Sequence, residues 1–163
     1  MKFTTKTLVT NGVIAALYCA LTMLLGDVGY GPVQFRPAEA MTMLPFLFPQ
    51  VWPGLFIGCL VSNLLSPYGL LDIVLGSLAT LSAALLTSRC KKLWLAALPP
   101  IIINAVVIGF CISIGTLELG MGAWPMMALS VGGSEAISVL ALGVPLVLVM
   151  RKLGLKEKLG LQV

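Results

Sequence analysis

Histidine is absent from this chain, and charged residues make up only 10% of its 163 residues. Its four cysteines, Cys19, Cys59, Cys90 and Cys111, are widely spaced and form no CxxC pair, so neither a metal site nor a disulfide framework is expected. The sequence also lacks the GxxxxGK[ST] motif of P-loop nucleotide hydrolases and the HExxH and GxSxG motifs of common hydrolases. We therefore expect no enzyme activity and no cofactor.

Apolar residues are abundant instead, at 59% of the chain with a mean hydropathy of +1.06. Soluble domains carry about a quarter charged residues, and apolar runs of about 20 residues are typical of membrane spans. The first run, Leu8 to Leu25, has no small-residue cleavage site after it, so we interpret it as a retained helix rather than a signal peptide. The composition predicts an all-α integral membrane protein with a single domain, residues 1–163.

The apolar runs and their Pro and Gly boundaries predict a bundle of six transmembrane helices. The expected helices are Thr7–Leu25, Ala38–Phe48, Gly54–Leu65, Leu71–Ser88, Leu93–Ile114 and Trp124–Met150. The second and third are short for a hydrocarbon core of about 30 Å, so they are either re-entrant or extended by their flanking loops.

The basic residues predict the orientation of this bundle. Nine of the ten lie in three clusters, at the N-terminus, near position 90 and at the C-terminus. The positive-inside rule places these clusters and both termini in the cytoplasm. The basic character therefore reflects topology, and a nucleic-acid partner is not expected. Glu157 lies in the C-terminal cluster. The other charges, Asp27, Arg36, Glu39, Asp72, Glu118 and Glu135, fall in outer loops or at membrane depth and indicate an acidic cavity for a solute from outside.

Carboxyl groups within the membrane are the main candidates for function, because an ionised side chain at mid-bilayer costs at least about 2.5–3.5 kcal/mol. Glu135 follows Gly132-Gly133-Ser134, and it either pairs with Asn104 to stabilise the bundle or faces a ligand. Arg36 and Glu39 are spaced i, i+3 and so can pair on one helix face, either merely as a local salt bridge or as part of the site. Trp124 and Tyr30, at the outer boundary, are either part of an aromatic belt or stacking platforms for a ring.

Small residues Gly12, Ala16 and Ala20 recur every four positions along the first helix. Small-xxx-small faces allow close helix contact in lipid. This stripe either packs within the bundle or docks onto another membrane protein.

Four segments together resemble the substrate-binding (S) components of energy-coupling factor (ECF) vitamin transporters, and in particular the QueT-type proteins of the queuosine-precursor family. The matching segments are GPVQFRPAEAMTMLPFLFP (31–49), GLFIGCLVSNLLSPYGLLDIVLGSLATL (54–81), LPPIIINAVVIG (98–109) and VGGSEAISVLALGVPL (131–146). Residues 16–20, ALYCA, match the AxxxA motif by which such subunits dock onto their coupling protein.

The resemblance implies a subunit of a bacterial plasma-membrane importer, which captures a 7-deazaguanine such as preQ1 or preQ0. It implies two kinds of partner, a transmembrane coupling protein and two ATPase subunits. It also implies an outer site covered by the loop between helices 1 and 2. The candidate substrate-binding residues are Tyr30, Gln34, Arg36, Glu39, Asn63, Asp72, Asn104, Trp124 and Glu135, and the candidate docking residues are Gly12, Ala16 and Ala20.

The chemistry of such a ligand suggests roles for these residues. Glu135 or Glu39 would accept from the paired N–H donors of the guanine-like edge, and Asn104 and Asn63 would add hydrogen bonds. Asp72 or Glu39 would meet the amine, while Trp124 or Tyr30 would cover the ring.

Two alternatives remain open on the sequence. One is an S component for another small vitamin or heterocycle. The other, of a different class, is a structural or assembly membrane protein or an oligomeric channel, in which the buried acids only hold helices together.

Overall fold

The computed structural model describes residues 4–30, 34–115 and 120–159, without the side chains of residues 27, 28 and 159. Every element in these ranges is helical, which confirms the all-α class. The α-helices are α1 (Thr5–Leu24), α2 (Asp27–Tyr30), α3 (Trp52–Asn63), α4 (Ser77–Arg89), α5 (Leu93–Gly115), α6 (Trp124–Ala136), α7 (Val144–Lys152) and α8 (Leu155–Leu159). Helices of 3-10 type cover Pro37–Phe46, Pro49–Val51 and Met121–Ala123, and π-helical segments cover Asp72–Gly76 and Ile137–Gly143.

Three helical stretches in the described ranges are long and apolar enough to cross a membrane. They are α1, α5 and the continuous stretch Met121–Lys152, which contains α6 and α7. The other passes are shorter, so the count of six spans and the position of the termini stay predictions. The second helix differs most from expectation, because a 3-10 helix replaces the α-helix predicted over Ala38–Phe48.

This long 3-10 helix, Pro37–Phe46, forms the centre of the bundle. All residues from Ala38 to Pro45 are buried, and the helix contacts α1, α4, α5, α7 and the second π-helical segment. Runs of 3-10 helix longer than three or four residues are uncommon, but a rise of about 2.0 Å per residue lets these ten residues extend about 20 Å. Leu44 packs there with Leu55, Val139 and Val147 in the main apolar core.

Helices α1 and α3 pack closely because α3 presents glycines to α1. A Cβ atom at Gly58 would lie 2.9 Å from the backbone oxygen of Ala15, and one at Gly54 would lie 2.6 Å from that of Asn11. Asn11 also accepts a hydrogen bond from the Gly54 N–H at 2.6 Å and donates to the Gln50 carbonyl at 3.0 Å. The inner face of α1 is thereby fixed against α3.

Helix α5 continues through Pro99 and Pro100, as the sequence predicted. Each proline lacks an N–H and so leaves the carbonyl four residues earlier without its helical donor. Thr87 donates to the carbonyl of Ala96 at 3.0 Å, and the Cys90 thiol lies 3.6 Å from that of Leu95. Side chains at the end of α4 therefore replace the missing backbone donors, which is the usual condition for proline inside a membrane helix.

Two of the three basic clusters meet at one end of the bundle. Lys91, which follows α4, lines the same cavity as Arg151 of α7 and Lys156 of α8. We call this region the basic end.

The close contact between α1 and α3 predicts a stability difference between two glycines. Gly58→Ala should lower the free energy of unfolding by about 1–3 kcal/mol, because the new methyl group presses on backbone atoms. Gly12→Ala is the matched control, since a Cβ there meets nothing within 4 Å. Unfolding in detergent, followed by tryptophan fluorescence, measures both. Equal stability of the two variants would contradict this packing.

Candidate solute-binding site

Arg36 is the most extensively bonded side chain of the polar interior. Its guanidinium donates to the Gly29 carbonyl at 2.8 Å, to Oδ1 of Asn63 at 3.1 Å and to Oδ2 of Asp72 at 3.3 Å. Only 4% of Arg36 is exposed, and Asp72 is fully buried. The hydrogen bond to Asn63 connects the start of the 3-10 helix to the end of α3, and the ion pair with Asp72 connects it to the first π-helical segment.

The predicted pairing of Arg36 with Glu39 is wrong. Arg36 precedes the 3-10 helix in an extended conformation, with φ −119° and ψ 97°, so helical i, i+3 geometry does not apply to it. Its ion-pair partner is Asp72, and Glu39 is bonded elsewhere.

Tyr30 covers the guanidinium of this ion pair. The Arg36 guanidinium lies 4.9 Å from the centre of its ring, and the Tyr30 hydroxyl donates to the Ser62 carbonyl at 2.6 Å. Burial raises the pKa of the Tyr30 phenol above its ordinary value, so the hydroxyl stays protonated and acts as a donor.

Glu39 and Glu135 belong to a second buried polar group. The Tyr18 hydroxyl of α1 donates to Oε1 of Glu39. Asn104 of α5 donates to Oε1 of Glu135 at 2.9 Å and also interacts with Glu39. The two carboxyl groups are close enough to interact electrostatically. Tyr18, Glu39, Asn104 and Glu135 are each at least 95% buried.

Three acceptor atoms of these groups have no hydrogen-bond partner within the described parts of the chain. They are Oε2 of Glu39, Oδ1 of Asp72 and Oδ1 of Asn104, and we call these three side chains the acceptor cluster. Glu39 lies near enough to Asp72 and to Asn104 to interact with both, so the acceptor cluster connects the two polar groups. An unsatisfied buried acceptor costs about 1–3 kcal/mol, so these three atoms indicate a place for an external donor. Among the described residues, the buried charges are three carboxyl groups and one guanidinium, so the region favours a cation or a donor-rich ligand.

Helix irregularities occur beside these residues. Asp72 opens the first π-helical segment, and the second begins two residues after Glu135. Such segments are frequent at functional sites because they redirect side chains within a helix. Gly76 leaves space for Asp72, since a Cβ there would lie 2.7 Å from its Oδ1.

Two predicted site residues differ from this group in their contacts. Trp124 is 37% exposed and its indole N–H donates to the Val106 carbonyl at 3.1 Å, on the side of α5. Gln34 is buried with φ 49°, and in the described chain its Nε2 has no partner. The structure thus brings Tyr30, Arg36, Asn63 and Asp72 into one group and Glu39, Asn104 and Glu135 into a second. It places Trp124 at the surface.

The sequence of the chain matches a known protein family over most of its length. The model of the family described as QueT transporter matches residues 8–152. The chain belongs to the QueT transporter family. This is a family of transporters rather than of enzymes, and the apolar helices of the chain fit a protein of the bacterial plasma membrane with several membrane helices.

A curated relative is the queuosine precursor transporter QueT of Lactococcus lactis subsp. cremoris (strain MG1363), with 39% identity over 82 residues. This alignment covers 49% of the present chain and 48% of the relative, so the chain matches about half the length of that protein. No solved structure matches the chain.

The small residues of α1 lie on its outer face. Gly12, Ala16 and Ala20 are exposed, while Ile14 and Tyr18 on the opposite face are buried in the bundle. Packing among the described residues therefore leaves the stripe uncovered.

Sequence reasoning missed Tyr18 as a site residue. It noted Tyr18 only inside the docking motif, although a hydroxyl-bearing aromatic in the middle of an apolar helix signals a buried hydrogen-bond partner. The buried hydroxyl of Ser77, next to Gly76, was missed as well. The acid Glu118 and the side chain of Asp27 lie outside the described residues.

Breaking the Arg36–Asp72 pair should destabilise the protein strongly. Arg36→Met leaves Asp72 as an uncompensated buried charge, and the expected loss is about 3–5 kcal/mol. The double variant Arg36→Met/Asp72→Leu should recover most of that loss, and Arg89→Met, at an exposed site, is the control. Thermal unfolding in detergent compares the variants. A double variant as unstable as the single one would show that the ion pair does not carry the effect.

Proposed function

We propose that this chain is the S subunit of an ECF-type importer and captures a queuosine precursor, a 7-deazaguanine such as preQ1 or preQ0, from outside. Two findings support the proposal, namely membership of the QueT transporter family and the acceptor cluster in the buried interior. The acceptor cluster is the decisive observation. Its oxygens have no hydrogen-bond partner among the described residues, and a ligand rich in N–H donors would satisfy them.

A 7-deazaguanine has the required donors. Its N1–H and exocyclic amine lie side by side and suit one carboxylate, which accepts both in a charge-assisted pair. The ring N–H offers a further donor, and the aminomethyl group of preQ1 adds a cation. Three buried carboxyl groups against one guanidinium, among the residues described, suit that charge.

Glu39 is the best candidate for reading the guanine-like edge. Tyr18 holds its Oε1, and Oε2 remains available within the described chain. Glu135 is already bonded to Asn104 through Oε1, so it supports Asn104, whose own Oδ1 faces a ligand donor. Asp72 meets the amine through Oδ1, and the Tyr30 ring is a better cover than the exposed Trp124.

Energy for uptake comes from partners in this proposal. The chain lacks the P-loop motif, and a transmembrane coupling protein with two ATPase subunits would supply ATP-driven transport. The exposed stripe of Gly12, Ala16 and Ala20 is the candidate docking face, because small residues allow a second helix to approach closely.

Calorimetric titration of the purified protein with preQ1 tests the proposal, with guanine and riboflavin as comparison ligands. Submicromolar binding of preQ1 with rejection of riboflavin supports it. A folded protein that does not bind any 7-deazaguanine would instead favour an S component for another heterocycle or a structural role.

Removing one carboxylate should weaken this binding without unfolding the protein. Glu39→Gln keeps the shape but replaces an acceptor by a donor facing the ligand, and a lost charge-assisted pair of about 1.5–3 kcal/mol lowers affinity about tenfold to a hundredfold. Glu135→Gln should have a smaller effect, since Glu135 acts through Asn104. Glu157→Gln, at an exposed position, is the control. Unchanged affinity in Glu39→Gln would remove the edge-reading role.

A large side chain in the exposed stripe of α1 should prevent assembly with the coupling protein. Ala16→Trp is expected to abolish co-purification of the coupling protein and its ATPases, because a large ring keeps the partner helix at a distance. Ala141→Trp makes the same change at an exposed alanine on the second π-helical segment and should leave assembly intact. Equal recovery of ATPases with both variants argues against this docking face, while preQ1 binding by both variants shows that they are folded.

A further inference from the structure

A cavity and a groove near the basic end have no part in the proposed solute site. The cavity has a volume of about 360 Å³ and is lined by Lys91, Arg151, Lys156 and Glu157, with Phe46 and Leu47 at its floor. Three cations against one carboxylate make it a positively charged cavity. All four charged side chains are exposed, so an anion from the membrane surface has access to them.

The groove is apolar and has a volume of about 370 Å³. It runs between α1, the long 3-10 helix and α7, with Thr10 at one end and Leu21 at the other. Its walls include Leu17, Leu44, Phe48, Leu146 and Met150. From Thr10 to Leu21, α1 rises about 16 Å, which is about half the thickness of a hydrocarbon core of about 30 Å.

The cavity and the groove lie along the same two chain segments. Leu44 and Phe48 line the groove, and Phe46 and Leu47 between them line the cavity. On α7, Met150 lines the groove and the next residue, Arg151, lines the cavity. A charged cavity is therefore next to one end of an apolar groove whose length matches one membrane leaflet.

We propose that this surface binds an anionic phospholipid, with the phosphate headgroup in the basic cavity and one acyl chain in the groove. Basic cavities between membrane helices favour anionic headgroups, and each cation near such a surface contributes about a fivefold preference. Burial of an acyl chain against the apolar walls adds affinity that is independent of charge. The site is separate from the acceptor cluster and does not depend on the transported solute.

Charge and shape together favour a lipid over other occupants. A free phosphate ion uses the cavity and leaves the groove empty. A helix of another membrane protein uses the groove and makes no use of three cations beside it. A phospholipid with a net negative charge fills both.

Native mass spectrometry of delipidated protein tests the proposal with phosphatidylglycerol and phosphatidylcholine of identical acyl chains. Phosphatidylglycerol is expected to bind about 25-fold more tightly, because three cations less one carboxylate leave a net charge of two and each charge contributes about fivefold. Arg151→Gln/Lys156→Gln should remove that preference, whereas the control Lys152→Gln, an exposed cation that does not line the cavity, should keep it.

The groove is tested by a second pair of variants. Leu146→Trp fills it and should weaken both lipids, while Leu148→Trp, 49% exposed on the same helix and outside the groove, should weaken neither. Unfolding temperatures without lipid verify that each variant is folded.

Three outcomes would overturn the lipid site. Equal affinity for the two lipids removes the role of charge. Displacement of phosphatidylglycerol by inorganic phosphate, with Leu146→Trp unchanged, indicates a simple anion site. Normal lipid binding by Leu146→Trp together with loss of the coupling protein indicates that the groove docks a protein.

Discussion

Arg36 carries a guanidinium into an interior made of apolar helices, where an unpaired charge is strongly unfavourable. Its hydrogen bonds to Gly29, Asn63 and Asp72 connect the start of the long 3-10 helix to α2, to the end of α3 and to the first π-helical segment. The helix start at Pro37 follows directly, so the direction in which the long 3-10 helix enters the bundle depends on these bonds. The position of Glu39 on that helix depends on them in turn.

Around the Arg36–Asp72 ion pair the interior is polar, but only some of its hydrogen-bonding groups have partners among the described residues. Tyr18 and Asn104 each hold one carboxyl group, yet the acceptor cluster retains oxygens without partners in the described chain. A protein that needed these groups only for stability would gain by satisfying them, because unmet hydrogen-bonding capacity lowers stability. A binding protein needs them open for its ligand.

Much of this arrangement could be predicted from the sequence. The features that could not be predicted depend on contacts between segments that are far apart in the chain. Apolar runs and proline positions predicted the six long helical segments and most of their bounds, but not the short helices α2 and α8. The polar residues at membrane depth predicted the candidate site, because a charged side chain there is energetically costly and usually has a function. The 3-10 geometry of residues 37–46 and the Arg36–Asp72 pair depend on contacts between distant segments, which local spacing does not encode. Tyr18 was overlooked for the same reason, since its partner Glu39 is 21 residues away.

An experimental structure of the protein with bound preQ1 tests the central claim most directly. The ring is expected inside the bundle, with its N1–H and exocyclic amine within hydrogen-bond distance of Glu39 and a further donor bonded to Asn104. The Arg36–Asp72 pair should remain intact beside it. A ligand bound outside the bundle, or an interior that closes by pairing Glu39, Asp72 and Asn104 with one another, would contradict the account.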